Sequence, residues 1–97
     1  MPQLVVTARI TAKPDCADAL EQAMRVLVEA TRREAGCLAY ELYRHTELPE
    51  QFLFHEQWAD RAALEAHWQA EHMHAYRRVA GPLIAARDVQ VLQPEVR

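Results

Sequence analysis

The sequence predicts an α+β fold in the order β-α-β-β-α-β, on three observations. Two stretches repeat their apolar residues with helical period. Four shorter stretches carry strand signals, and turn residues stand between them. The chain has 97 residues, which suits one domain over 1–97 and not two. A chain this short buries only about 65% of its unfolded surface, so oligomerisation is expected to supplement a thin core.

Leu4 to Thr11 reads LVVTARIT and is β-branched. Leu4, Val6, Ala8 and Ile10 share one face, and Val5, Thr7, Arg9 and Thr11 the other. Lys13-Pro14-Asp15 ends this strand, and Asp15 is placed to cap the next helix. That helix runs from Ala17 to Glu34, with an apolar stripe at 17, 20, 24, 27 and 31 that Ala19, Ala23, Val26 and Ala30 widen. Glu21–Arg25, Arg25–Glu29 and Glu29–Arg33 are spaced for solvated i,i+4 pairs. Gly36 suits a left-handed C-terminal cap. Cys37 to Arg44 (CLAYELYR) and Phe52 to Trp58 (FLFHEQW) read as strands of a hairpin turning through Glu47–Gln51. On the latter, Phe52, Phe54, Glu56 and Trp58 share a face. Asp60 caps a second helical segment, Arg61 to Ala80, with a break expected near Glu71-His72 and an end at Gly81-Pro82. Asp88 to Leu92 is a last strand, and Gln93 to Arg97 a tail.

Two right-handed βαβ crossovers around a hairpin give a four-stranded antiparallel sheet with both helices on one face, the ferredoxin-like fold. The opposite face then carries Val5, Thr7, Leu38, Tyr40, Leu42 and Leu53, and an uncovered apolar face predicts a symmetric homodimer packed sheet on sheet. Tyr40 and Arg9 are assigned to that interface.

Composition excludes several functions. The net charge of -3 is dispersed along the chain and argues against a nucleic-acid partner. No apolar run reaches the ~18 residues of a membrane span. Met1-Pro2-Gln3-Leu4 shows no basic region followed by an apolar stretch, so no signal peptide and a cytoplasmic location are expected. Cys16 and Cys37 flank the first helix and are too far apart for an internal disulfide. There is no serine for a Ser-His-Asp nucleophile, and two glycines do not make a phosphate loop. Zinc spacing among the cysteines is absent. His67, Glu71, His72 and His74 crowd eight positions, but His67 and His72 are i,i+5 and diverge by about 140° on an unbroken helix, so no metal site is expected.

Certain segments occur in a telling order: VVTARITAKP, TRREAGCLAYELYR, FLFHEQW, ALEAH and EHMHAY. Within them stand Glu34-x-Gly36-Cys37-x-x-Tyr40, Glu56-x-Trp58, and Ala63-Leu64-x-x-His67 followed by His72. From about Leu4 to Leu92 the chain closely resembles the antibiotic biosynthesis monooxygenase domain family, which includes small cofactor-independent quinol monooxygenases. The resemblance implies a dimer whose two sheets form an α+β barrel, with a pocket between helices and sheet in each subunit. Haem-degrading relatives carry an asparagine in the first strand, where this chain has Ala8; Trp58 matches their third-strand tryptophan. The missing asparagine argues against haem degradation.

The implied chemistry is oxidation of a small phenolic or quinol-like compound by O2 with no cofactor. It needs a dry pocket, a general base and a donor to hold the substrate anion. His67 or His72 is the candidate base, since histidine titrates near neutrality. Glu56 is the candidate orienting carboxylate. Trp58, Tyr76, Phe54 and Trp68 are candidates for the substrate-binding wall. Each has a plainer reading: His67 as a hydrogen-bonded core residue, His72 as a cap at the helix break, His74 as a solvated side chain, and the aromatics as core. A dimeric small-molecule binding protein without turnover is the alternative function, and a haem-handling protein a further one.

Overall fold

A computed structural model describes residues 3–96; Met1, Pro2 and Arg97 lie outside the described residues, and with them part of the expected N-terminal reading and the end of the expected tail. The elements are β1 (Leu4–Ala12), α1 (Ala17–Thr31), β2 (Cys37–Arg44), β3 (Gln51–Trp58), α2 (Arg61–Trp68), α3 (Glu71–Ala80) and β4 (Ile84–Leu92), with a short 3₁₀ turn at Gly81–Leu83. The sheet order is β2-β3-β1-β4 and every neighbouring pair is antiparallel. This is the ferredoxin-like α+β fold that the element order predicts.

Alternation sets the core. Val6, Ala8, Ile10 and Ala12 of β1 and Phe52, Phe54, Glu56 and Trp58 of β3 are buried toward the helices. Against them pack Leu20, Met24, Leu27 and Val28 of α1 and Leu64 of α2. Ala19 and Val26, expected to widen the buried stripe of α1, are exposed instead, because the stripe is narrower than the helix's alanine content suggests.

Strand β2 departs from the expected facing. Its register slips between Cys37 and Ala39, which oppose Trp58 and Gln57, so Leu38 is an extra, exposed residue. Beyond the bulge, Tyr40 opposes Glu56 and Leu42 opposes Phe54, both on the helix side. Tyr40 is buried with its ring 5.3 Å from Phe54 and 5.4 Å from His67, so it belongs to the core and not to a dimer face. The uncovered face keeps Val5, Thr7, Arg9 and Leu53, and is more polar than expected.

The capping devices also differ in part. Asp15 takes a left-handed conformation (φ 64°) in the turn before α1, and Cys16 is the N-cap, with no side-chain bond. Helix α1 ends at Thr31, three residues before the expected Glu34. Gly36 has no positive φ; its place is set by close packing, since a Cβ there would lie 2.2 Å from Ala63 Cβ. Asp60 does cap α2, accepting the Ala63 N–H at 2.9 Å. Glu21–Arg25 forms as expected, and Arg44 ties Asp18 and Glu21 of α1 to the hairpin turn through Pro49 O. Both cysteines are free.

Candidate active site

The second helical segment breaks at Gln69–Ala70, slightly earlier than expected. Ala70 is extended (φ -67°, ψ 148°), and the chain re-enters a helix at Glu71. The break reorients His72, so the 140° divergence of an unbroken helix no longer applies. Glu34, in the turn after α1, reaches between the two helices. His67 Nδ1 lies 2.7 Å and His72 Nε2 2.6 Å from the same atom, Glu34 Oε2. Two histidines from two helices therefore converge on one carboxylate oxygen of a third segment.

The chemistry of that oxygen sets the tautomers. A carboxylate only accepts, so each ring donates the N–H that faces it. His67 is 1% exposed, and burial pushes its pKa below the ordinary histidine value while the bond to Glu34 pulls it back up. A neutral His67 with its hydrogen on Nδ1 leaves Nε2 as a free lone pair. The ring itself is held against Trp58, with centroids 4.6 Å apart.

Glu56 has another partner than the expected one. It does not orient a histidine: its Oε1 accepts the Trp58 indole N–H at 2.9 Å. Glu34 holds the histidines instead. The physical reason is register, because Glu56 and Trp58 are two residues apart on one strand and share a face. Burial drives the Glu56 pKa up to about 7, against the lowering effect of the indole bond and with further upward pressure from the Glu34 charge.

Between helices and sheet lies a cavity of about 80 Å³. Apolar side chains such as Ala8, Phe54 and Met73 form its walls, and Glu56, His67, Tyr76 and Arg87 bring polar atoms to it. Trp68 lines it as well, its ring covered by the Arg61 guanidinium 5.5 Å away. The Tyr76 hydroxyl is buried and has no hydrogen-bond partner among the described residues. Burial pushes its pKa up to about 12. Thr31 Oγ1 is likewise buried without a partner, but only Tyr76 lines the cavity, where its hydroxyl is a free donor.

Of the seven sequence-predicted residues, the cavity brings together His67, Glu56, Tyr76, Phe54 and Trp68. Trp58 sits behind the wall, fully buried, as the donor to Glu56. His72 lies outside the cavity, in an outer groove between α1 and α3 lined also by Gln22, Ala23 and Val79. Sequence reasoning gave no role to Glu34 and placed Tyr40 on the wrong face. The Glu34-x-Gly36-Cys37 motif was the one available signal for the former; periodicity carried none, because Glu34 acts across a long loop closure.

Comparison with known proteins agrees with this architecture. Residues 3–79 match the family described as Antibiotic biosynthesis monooxygenase. The crystal structure of PA3566 from Pseudomonas aeruginosa superposes with a TM-score of 0.94 at 38% identity, covering 99% of this chain and 97% of that one. Rv0793 from Mycobacterium tuberculosis, whose name assigns it provisionally to the monooxygenases, is 35% identical over 94% of this chain and 90% of its own length. Its structure superposes with a TM-score of 0.91. An uncharacterized protein of Synechocystis is 33% identical over 84% of this chain, which spans 56% of that relative's length. By the extent of the family match and of these relatives, the chain belongs to the antibiotic biosynthesis monooxygenase family.

Proposed function

We propose that the protein is a cofactor-independent monooxygenase that oxidises a small phenolic or quinol-like compound with O2, with His67 as the general base. The observation that carries this reading is the 2.7 Å contact between His67 Nδ1 and Glu34 Oε2, from which the tautomer of His67 follows. Its Nδ1–H is committed to Glu34, so Nε2 is the free acceptor of a ring that lines the cavity, beside an unpartnered Tyr76 hydroxyl.

In this reading, Nε2 takes the phenolic proton as the substrate ionises. Tyr76 donates to the resulting oxyanion, and the raised pKa of Glu56 lets it remain protonated as a second donor near neutrality. The anion passes one electron to O2, and the radical pair joins at a ring carbon as a hydroperoxide. Loss of water leaves a hydroxyquinone: one oxygen atom stays on the ring, the other leaves as water, and the quinol supplies both reducing electrons. Glu34 is a positioning residue, and apolar walls keep the anion dry.

The cavity at about 80 Å³ is smaller than the roughly 150 Å³ that holds a benzene ring. Substrate entry thus requires side chains to part, and the α3–β4 side offers a route, since a groove lined by Tyr76, Arg77, Ile84 and Arg87 lies there. Met73 and Arg87 are long, unbranched and stand there. Haem handling is not supported, because Ala8 brings no polar group to the cavity. We further propose a homodimer formed through the uncovered sheet face, in the cytoplasm; among the described residues no helix is long and apolar enough to cross a membrane.

Oxygen consumption by the purified chain tests the reading, with a panel of hydroquinones and anthrones and no added cofactor. Uptake above the spontaneous rate is expected, with a loss of about 10²–10⁴-fold in His67→Ala. Ligand binding with no uptake in wild type or variant would favour the binding-protein alternative. Uptake that survives His67→Ala would remove the base assignment.

A further inference from the structure

Glu34, His67 and His72 hold a second chemistry. We propose that these three side chains form a binding site for a divalent transition-metal cation of the Zn2+ class. Their ligand atoms, one carboxylate oxygen and two imidazole nitrogens, all lie within 4.8 Å of one another. Two imidazoles with one carboxylate select Zn2+ and its first-row neighbours over Mg2+ or Ca2+, which prefer all-oxygen sets.

The three ligands differ in freedom in a way that suits metal entry. His67 is the anchor, 1% exposed and packed on Trp58. Glu34 and His72 are partly open, with side chains 17% and 27% exposed. His72 lies on the outer groove between α1 and α3, which gives a path in and room for a water as fourth ligand. At present the ligand atoms stand 2.6 and 2.7 Å apart, as hydrogen bonds require. Bonds of about 2.0–2.2 Å to a tetrahedral cation would set them roughly 3.3–3.5 Å apart. His72, in the first turn of α3 just after the break, can supply that movement.

A cation would enter without net proton loss from the rings. Each neutral imidazole carries one hydrogen, so a metal on His67 Nδ1 requires the hydrogen to move to Nε2, and a metal on His72 Nε2 moves that ring's hydrogen to Nδ1. The hydrogen of His67 then occupies Nε2, the nitrogen that had carried the free lone pair. If His67 is the base proposed above, the metal and the catalytic tautomer exclude each other, and the cation is an inhibitor. The site itself does not depend on that reading.

The test uses the full chain stripped with chelator, titrated with Zn2+ by calorimetry and with Co2+ by its visible absorption. One equivalent per chain is expected, with a Co2+ spectrum of four- or five-coordinate N/O ligation and no response to Mg2+. Glu34→Gln and His72→Ala, each checked for fold by circular dichroism, should weaken binding at least tenfold. His67→Gln should do the same, but it is buried and serves only if it folds. No uptake of either metal at millimolar concentration would overturn the site. So would equal binding by wild type, Glu34→Gln and His72→Ala, which would move the metal to other histidines or cysteines. Oxygen uptake lost on His67→Ala with no metal binding would retain the base and reject the site. Metal binding with no uptake from any quinol would do the reverse.

Discussion

Glu56 shows how one residue's environment becomes a measurable property. It is 5% exposed, bonded to the Trp58 indole, and pushed by burial up to a pKa of about 7 from an ordinary 4.5. His67, Tyr76 and Arg87 share its cavity, and the Glu34 charge adds to the upward shift. The folded chain therefore holds this proton more tightly than the unfolded chain does. Stability from this group is fully present below about pH 4.5 and falls as pH rises through about 7, by roughly 3 kcal/mol in all. Glu56→Gln keeps an acceptor for the indole and removes the titration. The variant should gain stability over wild type at pH 8 by a few kcal/mol and match it closely at pH 4.5, read by denaturant unfolding at both pH values. An equal gain at both would mean that Glu56 is not the titrating group. Strand alternation already placed Glu56 on the buried face in the sequence. Its partner was not legible there, because a carboxylate can choose among every donor that the fold brings near, and Trp58 was nearer than either histidine.

At the scale of elements, legibility followed the strength of local signals. The limits of β2 and the start of α1 and of α2 are visible in composition, and Asp60 caps as its type demands. The β2 bulge is not visible, since no glycine or proline interrupts Cys37–Ala39, whereas the break at Gln69–Ala70 is expected from the sequence about two residues later, near Glu71-His72. Both are imposed by packing, and both decide the site, since one turns Tyr40 inward and the other brings His72 to Glu34. Gly36 was legible as special, but for a different reason from the one its type first suggests. It lets α2 approach the start of β2, where a Cβ would stand 2.2 Å from Ala63 Cβ. Neither atom is the end of a flexible side chain, so backbone must shift. Gly36→Ala should destabilise the fold by about 1–3 kcal/mol, more than the ~0.4–1 kcal/mol gained by restricting the unfolded chain. Ala63→Gly in the same chain should restore much of the loss, a coupling that a double-mutant cycle in urea reads directly. Independent, additive losses would mean that the two residues do not meet.

For the whole molecule the asymmetry of the sheet is decisive. Helices cover one face except at Val89 and Val91 of β4, and the other face presents Val5, Leu53 and the exposed Tyr43 and Leu92 among polar neighbours. The sequence made this face look richer than it is, because Tyr40 and Leu42 were counted on it. What remains is a mixed surface whose cross-strand pairs include Arg9 opposite both Leu53 and Asp88. In a two-fold dimer every residue of the patch occurs twice, so one substitution acts at two places. Leu53→Arg sets a second guanidinium beside Arg9 and, across the two-fold, doubles the like charge at the interface centre. Leu53 alternates with the helix-facing Phe52 and Phe54 and so lies on the far face of the sheet, and the subunit should keep its far-ultraviolet circular dichroism. Sedimentation should give wild type at twice the 11.2 kDa chain mass and the variant as monomer at micromolar concentration. A wild type that sediments as monomer at high concentration would remove the proposed dimer, and would leave the thin core of a chain this size to stand alone. If the variant is monomeric yet consumes oxygen as wild type does, the cavity residues of one subunit suffice; uptake lost with the dimer would mean that the partner completes the site.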